Sequence, residues 1–432
     1  GHTTKIIDAE IEGKTFNDIL SVIEDFKPTL IAFTSTTPLF SSARTMAENI
    51  KESVDIPIVI GGPHVSVMSD SIITSDGPFD FAIYGEGERS ILELVNVLNG
   101  SEKGLNEIEG LIFKDASGKA IKNAVANYIN DINEIPWPDR EGIMLDRYTW
   151  SVPGRGIERF STLMTDRGCP FSCTFCSAHT VFGKKMRYRN ITDVVNEIDY
   201  LVNKLKITHI SFIDDTLTLN RNRVVQMCRE IIKRKISFTW EGWTRANTID
   251  DELVQIMKKA GFVRVSFGIE SGSPKILKKI KKGIKQKDIV AGYKIMKKNG
   301  IETRGSVMLG HAYETRETAY ETLRFVKSLK DCNQMYISIA TPYPGTELYQ
   351  QALNGEGGLV LLERDFSKYT RYGKPVTRVN DLSPDDLSKL QRKGFMMFYC
   401  TPGRIWYNFR RAGLRAFLRN TIAFSRSVIF NN

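Results

Sequence analysis

Three cysteines, Cys169, Cys173 and Cys176, stand at C-x3-C-x2-C spacing in the stretch Thr165-Asp-Arg-Gly-Cys-Pro-Phe-Ser-Cys-Thr-Phe-Cys-Ser-Ala-His179. Thiolates are soft ligands that suit zinc or iron-sulfur iron. Four ligands close a metal site, whereas three leave one corner open for chemistry. His179 follows Cys176 at x2 spacing, so a closed Cys3His zinc site is the structural alternative.

Further along lie Asp214-Asp215, Glu241, Arg245, Glu270-Ser271 and Gly310-His311. Adjacent carboxylates repel each other, so Asp214 and Asp215 together ask for a cationic partner. Arg245 offers a two-pronged donor to a carboxylate. Each of these groups falls near the end of an apolar run. Strands are expected at 161–165, 208–213, 237–241, 262–268, 301–309 and 334–340, with helical patterns between them. Six such units in series predict parallel strands with helical crossovers, and the chemistry of such folds gathers at the carboxyl ends of the strands.

The first hundred residues alternate in the same way. Strands are expected at 5–8, 29–33, 56–60 and 79–84, and helices at 16–26, 38–53 and 88–98. This alternation predicts an α/β, doubly wound (Rossmann-like) parallel sheet. Ligands of such sheets bind beyond the strand ends. Those ends hold Thr34-Ser35-Thr36-Thr37, Gly61-Gly62-Pro63-His64 and Gly85-Glu86-Gly87. A hairpin around Asp115-Ala-Ser-Gly118 and a stiff Pro-Trp-Pro connector at 136–138 follow, with a boundary near Tyr148.

The 432 residues carry a net charge of +10, unevenly spread. Residues 1–150 hold 12 Lys/Arg and 24 Asp/Glu, a net of −12, so the remainder carries +22. That break implies two units with different partners. No 18-residue apolar run suggests a membrane span, and no signal peptide is visible. Cys228, Cys332 and Cys400 stand alone, which fits a reducing, cytoplasmic compartment rather than a disulfide framework.

The cysteine motif resembles that of the radical S-adenosylmethionine (SAM) enzymes, and Ser35 with Gly61-Gly62 resembles part of the cobalamin-binding fold. Together they resemble the cobalamin-dependent radical SAM enzymes, class B methyltransferases among them. The resemblance implies that Cys169, Cys173 and Cys176 hold a 4Fe-4S cluster and that Phe175 lies against the adenine. Asp214 and Asp215 would meet the SAM amino group, Arg245 its carboxylate, and Glu270-Ser271 the ribose and carboxylate. Ser35, Thr36, Thr37, Gly61, Gly62, Pro63, His64, Gly85 and Glu86 would lie along cobalamin. The chain departs from the family in lacking D-x-H-x-x-G, so no histidine of that motif reaches cobalt, and the sheet reads as missing its first strand and helix. Leu309-Gly-His-Ala-Tyr-Glu-Thr315 also replaces the usual Leu-Pro-Gly-Glu-Thr, leaving His311 as a candidate proton donor, substrate contact or packing residue.

The implied domains are a cobalamin-binding domain at 1–105, a hairpin and linker at 106–148, a radical SAM partial (β/α)6 barrel at 149–345 and a mainly helical segment at 346–432. The implied activity is radical methyl transfer to an unactivated carbon of a small molecule or lipid. The alternatives are oxidative cyclisation or rearrangement with the same cofactors and, in another class, a zinc-stapled binding protein. Flavodoxin or ferredoxin is the expected electron donor. Residues 403–432 hold six arginines and no acid, among aromatic residues. Peripheral membrane contact, nucleic-acid binding or packing on the barrel would each suit that tail, but no nucleic-acid module accompanies it. The lysine-rich stretch 275–298 reads as a solvated helix face.

Overall fold

A computed structural model describes residues 1–407 and 409. The chain opens with α1 (Ala9–Glu12) and α2 (Phe16–Phe26). Then β1 (Ile31–Thr34), α3 (Phe40–Ser53), β2 (Ile58–Gly61), α4 (Pro63–Met68), β3 (Phe81–Ile83) and α5 (Glu88–Leu98) follow. The three strands pair in parallel. Ile58, Val59 and Ile60 of β2 are all buried, with Ala47 and Ile50 of α3 on one face and Leu94 of α5 on the other. Burial on both faces explains why this strand is apolar throughout instead of alternating. The expected hairpin, β4 (Leu111–Lys114) and β5 (Ala120–Lys122), extends the same sheet in antiparallel fashion.

The segment 5–8, expected as a strand, is not one. No strand pairs with the outer edge of β1 among the described residues. Asp8 instead caps α1 through Ile11 N at 3.1 Å and accepts the Tyr148 hydroxyl at 2.5 Å.

The barrel begins with β6 (Thr149–Val152) and β7 (Gly156–Leu163). Two short strands, β8 (Asp166–Arg167) and β9 (Arg187–Tyr188), pair antiparallel and bracket the cysteine loop, which contains α6 (Ala178–Phe182). The remaining strands are β10 (His209–Phe212), β11 (Thr239–Thr244), β12 (Phe262–Glu270), β13 (Glu302–Leu309) and β14 (Gln334–Ile339). Their order is β14-β13-β12-β11-β10-β7-β6, parallel except for β6. The six expected barrel strands are all present. Outer helices α7 (Ile191–Asp199), α8 (Arg221–Lys233), α9 (Asp251–Lys259), α10 (Pro274–Lys279), α11 (Gln286–Lys298) and α12 (Arg316–Ser328) cover the convex face.

Beyond the barrel, α13 (Glu347–Asn354) leads into an antiparallel ribbon, β15 (Leu359–Leu361) with β16 (Thr377–Val379), and then α14 (Pro384–Tyr399). The Ser383–Asp386 capping box starts α14 as the sequence suggested. The C-terminal segment is thus part strand, not helix alone. Arg404 anchors its far end, stacking 3.6 Å from the Phe398 ring and donating to Leu329 O at 2.7 Å. The basic tail past residue 409 lies outside the described residues. Among the described residues no helix is long and apolar enough to cross a membrane.

The sheet meets the barrel through Glu86, just past β3. Its carboxylate accepts four hydrogen bonds: from Arg167 Nη1 at 2.8 Å, Arg187 Nη2 at 2.9 Å, Arg187 Nη1 at 2.7 Å and Ile129 N at 2.8 Å. Burial opposes the charge, but these partners win and hold the carboxyl below its ordinary range. Trp137 of the proline connector is tied to Asp193 at 2.9 Å, and Arg140 to buried Glu197 at 2.8 Å.

Glu86→Ala would leave the buried Arg187 guanidinium without its counter-charge, at a cost of about 3–5 kcal/mol. Glu88→Ala, which removes an exposed partner of Arg167, should cost about 1 kcal/mol or less. Urea denaturation measures both, and equal effects would refute the clamp. Because the Glu86 pKa is lowered, its contribution is full above the ordinary value of 4.5 and is lost as pH falls through the lowered value.

Candidate active site

The cysteine loop has little regular structure, so its shape depends on stitches to neighbouring elements. Cys169 N donates to Gly183 O at 3.2 Å, Thr174 N to Ile280 O at 3.2 Å, and Leu348 N to Thr174 O at 2.8 Å. Gly168 has φ +101°, and a Cβ there would run into Lys185 O at 2.3 Å, so only glycine fits before Cys169. Burial pushes the Cys176 thiol up to about 11 and raises Cys169 as well, with Asp215 adding to both. Among the described residues, no three His, Cys, Asp or Glu side chains converge on a single-ion site.

Asp214 and Asp215 have parted roles. Asp214 is buried and accepts Thr165 N at 2.6 Å and Asp166 N at 3.0 Å, shaping the chain that leads into the cysteine loop. Burial raises Asp214, and raises the adjacent Asp166 with Asp214 adding to it. Asp215 remains exposed and is the member of the pair available to a cation.

Arg245 is buried with its guanidinium 3.8 Å from the Phe171 ring centroid. One Nη donates to Lys282 O, while Nε has no partner among the described residues. Glu270 sits at φ +65°, a left-handed conformation costly for a side-chain-bearing residue. Its carboxylate meets Lys282 Nζ at 2.9 Å, and Lys282 Nζ lies 5.9 Å from the Phe175 ring centroid. A Cβ on Gly268 would strike both partners, at 2.4 Å and 2.8 Å. Ser271 does not face this group: its hydroxyl is buried 2.9 Å from Thr322 Oγ1 and accepts Ser273 N. His311 is wholly buried, 5.8 Å from Phe175 between ring centroids, with no geometric hydrogen-bond partner for either ring nitrogen among the described residues. Burial holds it neutral, at about 4.

Deeper in the barrel, Glu241 belongs to a paired network rather than to the mouth. It meets Arg264 at 2.6 Å, Arg304 at 3.3 Å and Trp150 Nε1 at 3.0 Å, and Arg264 also meets Glu302 at 2.9 Å.

At the sheet edge, Thr36 and Pro63 are exposed, and a Cβ on Gly85 would meet nothing within 4 Å. Gly61 has room for one, 3.6 Å from Ile83 O, whereas a Cβ on Gly62, at φ +100°, would collide with Ser35 N and O at 2.9 Å. Ser35 is buried and donates to Thr36 O at 2.9 Å. Thr37 and His64 turn inward to each other at 3.1 Å, and the imidazole packs between Phe40 (4.5 Å) and Phe366 (5.1 Å). Burial depresses His64 to about 4. Glu86 has all four acceptor positions taken by the clamp, so its carboxylate serves the junction.

The family described as "Radical SAM superfamily" matches residues 164–326, and the "B12 binding domain" matches residues 1–95. The chain is 36% identical over 404 residues to the uncharacterized methyltransferase PH0819 of Pyrococcus horikoshii, covering 93% of this chain and 85% of that protein. The chain belongs to the cobalamin-dependent radical SAM enzymes. It is also 27% identical to the anaerobic magnesium-protoporphyrin IX monomethyl ester cyclase of Rubrivivax gelatinosus, over 95% of this chain and 73% of that protein. Its fold is similar to that of TsrM from Kitasatospora setae, solved with cobalamin and a [4Fe-4S] cluster bound (TM-score 0.71, 16% identity, 92% of this chain and 83% of the other).

The cofactors of this radical SAM enzyme are a 4Fe-4S cluster, SAM and cobalamin. The residues present fit them. Three thiols on one loop suit a cluster with an open corner, the orphaned Arg245 Nε suits a carboxylate, and Gly61 and Gly85 leave the sheet edge free of side chains. Sequence reasoning missed Lys282, which it placed on a solvated lysine-rich face, and Phe171. The signal for Lys282 was local: Lys278, Lys279 and Lys281 are exposed, but Lys282 directly precedes Gly283, whose φ is +64°.

Cys169→Ser, Cys173→Ser and Cys176→Ser should each lose iron on anaerobic reconstitution, while His179→Ala keeps it. Iron loss on His179→Ala would favour the zinc arrangement. Lys282→Met strands the Glu270 carboxylate and should weaken SAM binding about tenfold or more, or about 1.4 kcal/mol by calorimetry, with iron retained. Unchanged SAM affinity would assign Lys282 to packing alone.

Proposed function

We propose that this enzyme transfers a methyl group derived from SAM, by way of cobalamin, to an unactivated carbon of a small molecule or lipid. One juxtaposition carries the reading. Glu86 follows the strand β3 that ends beside the glycine loops, and it grips Arg167, two residues before Cys169. The edge assigned to cobalamin is thereby tied to the loop assigned to the cluster. When bound, the reduced cluster supplies the electron that splits SAM to methionine and a hydrogen-abstracting 5′-deoxyadenosyl radical, and cobalamin supplies the methyl group.

The chain's own residues place and protect the reactants. In this reading Asp215 binds the SAM ammonium, Arg245 its carboxylate, Glu270 the ribose hydroxyls, and Phe175 the adenine face. Asp214 and Ser271 are positioning residues that shape the loops around those contacts. Thr36, Gly61, Gly62, Pro63 and Gly85 border cobalamin directly, while Ser35, Thr37 and His64 support that edge from within. His64 is buried and neutral and is not assigned to cobalt. A flavodoxin- or ferredoxin-like donor in the cytoplasm supplies electrons, and the arginine-rich tail suits contact with an anionic membrane surface. Oxidative cyclisation with the same cofactors is the second reading, favoured by the cyclase relative.

Turnover with SAM labelled in its methyl group separates the two, since transfer leaves label in the product and cyclisation does not. Gly61→Val tests the cobalamin edge. The strand has room for the new Cβ, so the fold and iron content should survive while bound cobalt falls at least tenfold. Cobalamin bound equally by both proteins would overturn the assignment of this loop.

A further inference from the structure

We propose that the barrel interior is a pocket for a neutral, predominantly apolar substrate bearing rings or branched hydrocarbon, an inference that rests on the methyl-transfer reading above. Strand alternation fixes which side chains face inward. On β11, Glu241 meets Arg264 and Arg304 inside the barrel, so Trp243 faces inward too. On β10, His209 Nε2 lies 3.5 Å from Glu241, and Ile213, one residue past the strand, keeps that side because its N–H continues the ladder to Leu163 O at 3.0 Å. Gln334 donates to Glu302 at 3.3 Å, which turns Tyr336 inward on β14.

Ile213, Trp243 and Tyr336 are 49%, 43% and 36% exposed, although they stand inside a barrel. Interiors of parallel barrels are ordinarily filled by layers of large side chains. Beside Trp243 and Tyr336 the neighbouring strands carry small residues. Ser266 pairs with Trp243, Gly268 with Ser306, and Ser306 with Tyr336 in register. Large apolar side chains next to small ones leave space lined with apolar surface, which an apolar ligand would cover.

The charges below this space are matched. Two arginines, Arg264 and Arg304, are paired with two glutamates, Glu241 and Glu302, so none of these four side chains offers an uncompensated charge to an ionic substrate. Hydroxyls of the serines remain for a neutral polar group. The walls also lie close to the chemistry. Ile213 and Trp243 each stand two residues before Asp215 and Arg245, a separation of at most about 7 Å along the chain. A hydrocarbon held against them is within reach of a radical generated at the strand ends.

The test is equilibrium dialysis of reconstituted holoenzyme against two probes of one skeleton, neutral N-phenyl-1-naphthylamine and anionic 8-anilino-1-naphthalenesulfonate. The neutral probe should bind at one site and at least tenfold more tightly than the anion. Ser306→Phe, which fills the space, and Trp243→Ser, which removes an exposed wall, should each weaken it at least tenfold. Iron and cobalamin contents in the same samples report folding, and should Ser306→Phe lose both, Trp243→Ser alone decides. No binding to wild type, binding unchanged in Trp243→Ser, or tighter binding of the anion would overturn the pocket. Labelled methyl transfer is read separately: its failure with probe binding intact refutes the methyl-transfer reading, and its success without probe binding refutes the pocket.

Discussion

The buried Glu86 carboxylate is the constraint on which the arrangement depends. It comes from the end of a sheet strand and satisfies two arginines that flank the cysteine loop in sequence, Arg167 before it and Arg187 after it. Both arginines sit in the ribbon of β8 and β9 that closes the base of that loop. A charge this buried tolerates little displacement, because any gap leaves an ion unpaired in a low-dielectric setting. The clamp therefore fixes the sheet edge relative to the cysteines more sharply than an apolar contact of the same size would. Val67 of α4 against Gly345 at the end of the barrel, and His64 against Phe366 of the C-terminal segment, add further contacts to the sheet unit.

A second set of constraints acts inside the barrel mouth. Lys282 serves two neighbours at once: its carbonyl receives Arg245 and its ammonium meets Glu270. Arg245 in turn stacks on Phe171 of the cysteine loop. The cysteine loop, Arg245 and Glu270 are thus linked through one turn. The left-handed backbone of Glu270 and the absence of a side chain at Gly268 are the local costs of bringing these groups together.

Much of this was legible in the sequence because the signals were local and periodic. The cysteine spacing, the six barrel strands and the glycine pair after an apolar run need no knowledge of distant residues. The failed strand at 5–8 shows the limit: Lys5-Ile-Ile-Asp8 has strand-like residues, but Asp8 is spent capping α1 and holding the distant Tyr148. Adjacent residues also diverged where their chemistry looked alike. Asp214 is buried and consumed by backbone donors, whereas Asp215 stays exposed. Glu270 and Ser271 part in the same way.

Sequence alone determined the cofactor class and the succession of sheet and barrel, because ligand type, ligand spacing and hydrophobic period are all written along the chain. Tertiary structure alone decided which polar residues are free to act. Glu86, His64 and Thr37 stand in the expected loops, yet burial and partners from elsewhere turn them to holding the fold. Lys282 stands in a lysine-rich run, yet one turn carries it into the site. The physical reason is the same in each case: a polar side chain's role is set by the partners that replace water around it, and those partners come from residues far away in sequence.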